Sequence, residues 1–229
     1  MKQKVDSGES FFPRSGGCGV PVGEGLGQSG ATAGCWSKAR FSAALISGGR
    51  SLRMGRDKAQ IAVGWEGETV PLRVRQLRML QRLEPKELFY SGPAKPGDLP
   101  LARVIADEWP DAGPLSGIAS CLQATSSELL LCLAVDLARM DALFLMKILT
   151  RCRGGRGVVP RIGENYEPLV AVYPKASLAI AIEQLQSQRL PLQEFARRLL
   201  NERLIGEYQV LAEEIPLFVN WNTPEDVDS

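Results

Sequence analysis

The sequence predicts an α/β protein, a single Rossmann-like three-layer domain built on a mainly parallel sheet. Three observations carry that expectation. Short, almost unbroken apolar runs recur along the chain, which is how strands buried on both faces read. Helical patterns alternate with them, as connections between parallel strands require. Glycines and carboxylates stand directly after several of these runs, at the edge where open α/β sheets bind ligands.

Residues 1 to 40 are rich in Gly and Ser with little apolar periodicity. They are expected to form a flexible extension, leaving a domain over 41–229. The stretch GLGQSG from Gly25 to Gly30 has the form G-x-G-x-x-G. A dinucleotide fingerprint needs a strand before it and a helix after it, and neither is readable here.

From Phe41 the elements follow in order. FSAALI (Phe41 to Ile46), ELFY (Glu87 to Tyr90), RVIA (Arg103 to Ala106) and LLLCLAV (Leu129 to Val135) read as strands flanked by turn or polar residues. Between them, Pro71 to Arg82 sets Leu72, Leu77 and Leu80, with Leu83 just beyond, at helical spacings opposite a basic face. Pro114 to Gln123 and Asp141 to Leu149 also read as helices. After Gly154, GVVP (Gly157 to Pro160) and EPLVAVY (Glu167 to Tyr173) predict strands, and Ala176 to Gln186 and Leu192 to Leu200 predict helices. This half is expected to add a hairpin and helical cover beside the same sheet.

Bulk properties exclude several function classes. The 27 basic and 26 acidic residues give a net charge of +1, so no global field favours nucleic acid or a membrane surface. No apolar run is long enough to span a bilayer and the N-terminus lacks a secretory pattern, which makes the cytoplasm the expected location. Cys18, Cys35, Cys121, Cys132 and Cys152 contain no C-x-x-C pair, so reduced thiols are expected. With no histidine in the chain, imidazole acid–base chemistry and His-based triads are excluded.

The chemistry therefore rests on carboxylates, cations and backbone. ISGGRSLRMGRDK, from Ile46 to Lys58, leaves the first strand and mixes glycine with Arg50, Arg53, Arg56 and Lys58. Gly48 and Gly49 allow close backbone approach to an anion, and the cations suit phosphate oxygens. The Walker spacing fails, because Gly55 is followed by Arg-Asp-Lys. The same composition also fits a solvated basic loop. Asp107 and Asp136 each follow a strand, where a carboxylate can hold Mg²⁺ or, alternatively, cap a helix. The residues from Asp107 to Ile118 add a Gly-Pro turn opening a helix.

Five elements together, the Ile46 to Ala59 loop, Asp107 with GPLSG (Gly113 to Gly117), the Asp136 strand end, EPLVAVY and NWNTPED (Asn220 to Asp226), resemble in that order the molybdenum cofactor guanylyltransferases and their nucleotidyltransferase relatives. The resemblance implies a GT-A-like nucleotidyltransferase fold. It also implies transfer of GMP from GTP to the terminal phosphate of Mo-molybdopterin, with pyrophosphate release and Mg²⁺ as cofactor. Under it, the backbone at Ile46, Ser47, Gly48 and Gly49 contacts the nucleotide, Arg53 and Lys58 hold the triphosphate, and Asp107 contacts the nucleotide. Ser91 bears on the base, Asp136 binds Mg²⁺, and Asn220 and Asn222 belong to the molybdopterin side. Arg53, Lys58 and Asp136 are the catalytic set. Molybdenum-insertion proteins and recipient molybdoenzymes or their chaperones are the implied protein partners.

Alternatives stay open at this level. Asn220 and Asn222 also suit a turn before a helix cap at Thr223. Cytidylyl transfer from CTP to molybdopterin, transfer to another small phosphorylated acceptor and a non-catalytic nucleotide or pterin carrier are the competing functions. Three positions depart from the family pattern: Ser47 replaces the usual alanine, the metal strand ends in Val135-Asp-Leu-Ala138 without the usual proline, and Ser91 stands where guanylyltransferases often have asparagine.

Overall fold

The computed structural model describes residues 41–47, 58–94 and 99–220, all in one compact unit. The expected extension over 1–40, and with it Cys18 and Cys35, lies outside them, as do Gly48, Gly49, Arg53 and Asn222.

Strand β1 (Phe41–Ile46) is buried along its whole length. Phe41, Ala43 and Leu45 join one hydrophobic cluster, and Ala44 and Ile46 join another. That alternation is what a strand covered on both faces produces. The next elements are the hairpin β2 (Ala62–Trp65) and β3 (Glu68–Pro71), helix α1 (Leu72–Gln81), β4 (Leu88–Ser91), β5 (Arg103–Ile105), α2 (Pro114–Ala124), β6 (Leu129–Ala134) and α3 (Ala142–Leu149). Then come β7 (Gly157–Ile162), β8 (Asn165–Tyr166), β9 (Val170–Pro174), α4 (Ser177–Gln186), α5 (Leu192–Asn201), β10 (Ile205–Gln209) and a 3-10 segment, Ala212–Phe218.

The main sheet has the order β10-β7-β9-β6-β1-β4-β5, with β8 paired to β7. β1 runs parallel to β4 and β6, and β4 parallel to β5. β9 is antiparallel to β6 and β7, and β10 is parallel to β7, so β7 and β10 share the direction of β6. Leu72, Leu77 and Leu80 of α1 and Phe144 and Leu145 of α3 fill the core on one face. Leu115 and Ile118 of α2, Ala181 of α4 and Phe195 of α5 fill the other. Full burial of each of these leucine, isoleucine and phenylalanine side chains contributes roughly 1.5–3 kcal/mol.

The three-layer α/β expectation holds. Among the described residues, the β2–β3 hairpin, β8, β10 and the 3-10 turns Lys58–Gln60 and Ala212–Phe218 were not anticipated. Asp136 is not the cap of α3: that cap is Asp141, whose carboxylate accepts from the Phe144 amide. Cys121, Cys132 and Cys152 are free thiols. Burial pushes the Cys121 and Cys152 thiols up to about 12 and Cys132 well above its ordinary value. Among the described residues, no helix is long and apolar enough to cross a membrane.

Candidate active site

The four parallel strands bring their carboxyl ends to one edge in register. Ile46 lies opposite Ser91 on one side and Ala134 on the other, and Ser91 opposite Ile105. The chain order turns back between β1 and β6, which makes this a topological switch point, where open α/β sheets open a crevice for ligands. The Ser47 amide donates to the Ser91 carbonyl at 2.7 Å and the Val135 amide to the Ile46 carbonyl at 3.0 Å. Those backbone groups are thus engaged in extending the sheet by one residue. Asp136 follows this layer after Val135, and Asp107 after Ala106.

A cleft of about 330 Å³ opens between the ends of β4 and β5, lined by Ser91, Gly92, Ala94, Ile105 and Asp107 among others. Its size falls in the range of small-ligand sites, roughly 300–1,000 Å³. Two glycines make room around it. A Cβ on Gly92 would lie 2.7 Å from Ser47 Cβ, and one on Gly117 would lie 2.6 Å from Ser91 Oγ. Ser91 itself is buried.

Asp107 is exposed at the cleft, and its carboxylate accepts from the Trp109 amide at 3.0 Å. Desolvation raises its pKa, against that hydrogen bond and with help from the nearby Asp111. The loop is tied to α2 by the Glu108 amide donating to Ser120 Oγ and by Gln123 donating to the Glu108 carboxylate.

Asp136 is half-buried, followed by the buried Leu137 and Ala138. The Leu137 carbonyl accepts from the Met140 amide at 3.0 Å and from the side-chain amide of Gln76 at 2.7 Å. Gln76 is fully buried on α1. Lys58 opens the short 3-10 turn Lys58–Gln60, which is held to the fold by the fully buried Ala59. β9 enters the same edge from the opposite direction, where the Leu169 carbonyl accepts from the Ala134 amide at 2.8 Å. Glu167 stands just before it, its pKa raised by burial.

Asn220 is exposed, and the segment before it is firmly held. β10 ends at the ligand edge, since it shares the direction of β6. The 3-10 segment then runs back along α3. Glu214 accepts from Lys147, in the last turn of α3, at 2.6 Å, while Phe218 packs edge-on to Phe144, in its first turn, with ring centroids 5.1 Å apart. The segment is therefore antiparallel to α3 and delivers Asn220 toward the helix end that follows Asp136.

The structure thus gathers Ile46, Ser47, Ser91, Asp107 and Asp136 at one edge and directs Asn220 toward it. Gln76 and Glu214 were missed in the sequence. A lone amide among Leu72, Leu77 and Leu80 was the available signal for Gln76. Among the described residues no cluster of three or more acidic or cysteine ligands could hold a metal.

A MobA-like NTP transferase domain matches residues 43–206. The chain belongs to this family. A relative in Opitutus terrae, named "probable molybdenum cofactor guanylyltransferase", is 33% identical over 192 residues, covering 82% of this chain and 93% of its own. The molybdenum cofactor guanylyltransferase of Xanthomonas euvesicatoria is 30% identical over 190 residues, covering 81% and 91%. The crystal structure of molybdopterin-guanine dinucleotide biosynthesis protein A from Archaeoglobus fulgidus superposes with a TM-score of 0.58 at 17% identity, over 82% of this chain and 95% of that one. That likeness shows that the two chains share this α/β fold.

Proposed function

We propose that this chain is a molybdenum cofactor guanylyltransferase. It transfers GMP from GTP to the terminal phosphate of Mo-molybdopterin, forming molybdopterin guanine dinucleotide and releasing pyrophosphate. The observation that carries this reading is the meeting of the β1, β4, β5 and β6 ends at one edge in a MobA-like chain, with the cleft beside Ser91 and Asp107.

The nucleophile is the acceptor's phosphate oxygen. Its second pKa is near 6, so at neutral pH it is largely ionised and needs no general base, in keeping with a chain that lacks histidine. The oxygen attacks the α-phosphorus, the α–β anhydride bond breaks and pyrophosphate leaves. Arg53 and Lys58, from the loop after β1, hold the triphosphate and neutralise the leaving group. Asp107 and the cleft at Ser91 orient the nucleoside, and Asn220 and Asn222 take the pterin side.

Asp136, a half-buried carboxylate just past the end of β6, suits Mg²⁺, which is commonly held by one or two carboxylates plus substrate phosphates. Asp136 would hold it. When bound, the ion supplies charge neutralisation at the phosphates. Delivery by a molybdenum-insertion protein and transfer to a recipient molybdoenzyme or its chaperone complete the reading, with the cytoplasm as its location.

Ser91 favours one second reading, cytidylyl transfer from CTP, because it stands where guanylyltransferases often carry asparagine. Pyrophosphate release with Mo-molybdopterin and either GTP or CTP separates the two. Turnover with GTP and not CTP is the expected result, and turnover with neither overturns both. Thermal shifts with each nucleotide and Mg²⁺ report binding independently.

A further inference from the structure

The peptide segment behind Asp136 is held from across the fold by a side chain that the reaction itself does not use. Gln76 is fully buried on the apolar face of α1. Its amide nitrogen donates to the Leu137 carbonyl at 2.7 Å, and its amide oxygen accepts from Arg75 at 3.0 Å. Arg75 in turn lies over the Trp65 ring, 5.5 Å from its centroid, on the hairpin that follows the Lys58 turn.

Satisfying Leu137 does not explain this arrangement. The Leu137 carbonyl already accepts from the Met140 amide, and a carbonyl with one partner is among the more tolerated buried groups. Placing a fully buried amide among leucines carries a desolvation and side-chain-ordering penalty that an apolar residue would not. What the second bond adds is geometric: it fixes the Leu137–Met140 turn relative to α1, and the turn begins one residue after Asp136. Val135-Asp-Leu-Ala138 contains no proline to set that turn by itself. A path of direct contacts therefore joins the hairpin after the cationic loop to the strand end that carries the carboxylate.

We infer that Gln76 is a positioning residue for Asp136, aiming its carboxylate at the nucleotide phosphates. The inference rests on the reading of Asp136 given under Proposed function. Partners that touch a metal-binding group directly change metal affinity or activity by roughly 10–100-fold when removed; Gln76 acts one step further out, through the Leu137 carbonyl, so its loss belongs at the low end of that range.

The test compares wild type with Gln76→Leu, Gln76→Met and Asp136→Ala in the full chain. It measures unliganded melting, Mn²⁺ affinity in the presence of a non-hydrolysable GTP analogue by electron paramagnetic resonance, and the separate values of kcat and KM. In the Gln76 variants, Mn²⁺ binding is expected to weaken and kcat to fall toward the low end of the roughly 10–100-fold range. KM for GTP is expected to stay within a few-fold, in protein that still melts cooperatively. Methionine at 76 keeps the length and flexibility of glutamine, so it serves if leucine prevents folding. Wild-type Mn²⁺ affinity and kcat in either folded variant overturns the positioning role. Losses that merely track the drop in melting temperature do the same. Failure of wild type to bind Mn²⁺ with the analogue would instead sink the underlying reading of Asp136, and this inference with it.

Discussion

Ser91 and Gly117 approach so closely across the β4–α2 interface that a Cβ on Gly117 would stand 2.6 Å from Ser91 Oγ, with Ile46 Cγ2 at 3.5 Å behind it. Glycine in a helix interior is normally a weakness of roughly 0.5–1 kcal/mol relative to alanine. Here the contact reverses the sign. Gly117→Ala is expected to destabilise by about 1–2 kcal/mol through overpacking, lowering Tm by roughly 2–8 °C for a chain of this size. Calorimetry of Gly117→Ala beside the Ser91→Ala/Gly117→Ala pair checks the cause. Removing Oγ should recover part of the loss, and equal melting of the two variants would exclude the Ser91 contact.

At the opposite edge of the sheet Glu87 ties three segments together. Its carboxylate accepts from Ser42 Oγ at 2.8 Å, Thr125 Oγ1 at 3.2 Å, and the Ser126 amide and hydroxyl at 2.8 and 3.0 Å. Burial pushes its pKa up, but these bonds together outweigh burial and hold it below the ordinary glutamate value. A carboxylate with a depressed folded pKa stabilises above its unfolded value, near 4.3, and loses that contribution as pH falls through the lower folded value. Glu87→Gln should therefore cost about 1–3 kcal/mol at pH 7 and make the loss of stability below pH ~4.3 shallower. Urea titrations at pH 7 and pH 3.5 measure both. An unchanged difference between the two pH values would refute the assignment to Glu87.

The strands at the centre were legible because their physics is local. Leu129 to Val135 is buried throughout, so apolar continuity alone marks it, and Asp136 stands out by following it directly. The β2–β3 hairpin was not legible: Gly64, Glu66 and Gly67 interrupt its pattern, and it is held by Trp65 stacking with Arg82 and by Glu68 pairing with Arg78. β10 reads poorly for a similar reason, since it lies at the sheet edge with Glu207 and Gln209 exposed. The direction in which Asn220 is delivered depends on Phe218 meeting Phe144, 74 positions earlier, and no local pattern encodes that.

The strand-end carboxylate yields a catalytic prediction. Asp136→Asn keeps the size of the side chain and removes the charge. It is expected to lower kcat by roughly 10²–10³-fold, the range seen when one preorganised electrostatic group is lost. GTP-induced stabilisation should become insensitive to Mg²⁺. Asp107→Asn, at the proposed nucleoside cleft, should instead raise KM for GTP with a smaller effect on kcat. Steady-state kinetics that show the same split for both variants would contradict the separate roles.

The segment that leads to Asn220, on the proposed acceptor side, is held by Glu214. This buried carboxylate accepts from Lys147 at 2.6 Å, from the Tyr208 hydroxyl at 2.6 Å and from the Leu211 amide at 2.9 Å. Burial raises its pKa, and the three donors more than reverse that, leaving it below the usual value. Lys147 is correspondingly raised, chiefly by its bond to Glu214. The clamp is complete above the unfolded glutamate pKa near 4.3 and loosens as pH falls below it. At high pH it weakens as Lys147 loses its proton above its unfolded value near 10.4. Glu214→Ala strands the Tyr208 hydroxyl and the Leu211 amide and should cost about 1–3 kcal/mol. Because the held segment leads directly to Asn220, the variant should raise KM for molybdopterin several-fold while leaving KM for GTP near wild type. Tyr208→Phe, which removes one donor and keeps the ring against Phe144, should move the same constant in the same direction by less. Equal increases in both KM values would show that Glu214 supports the fold as a whole and does not selectively place the Asn220 segment.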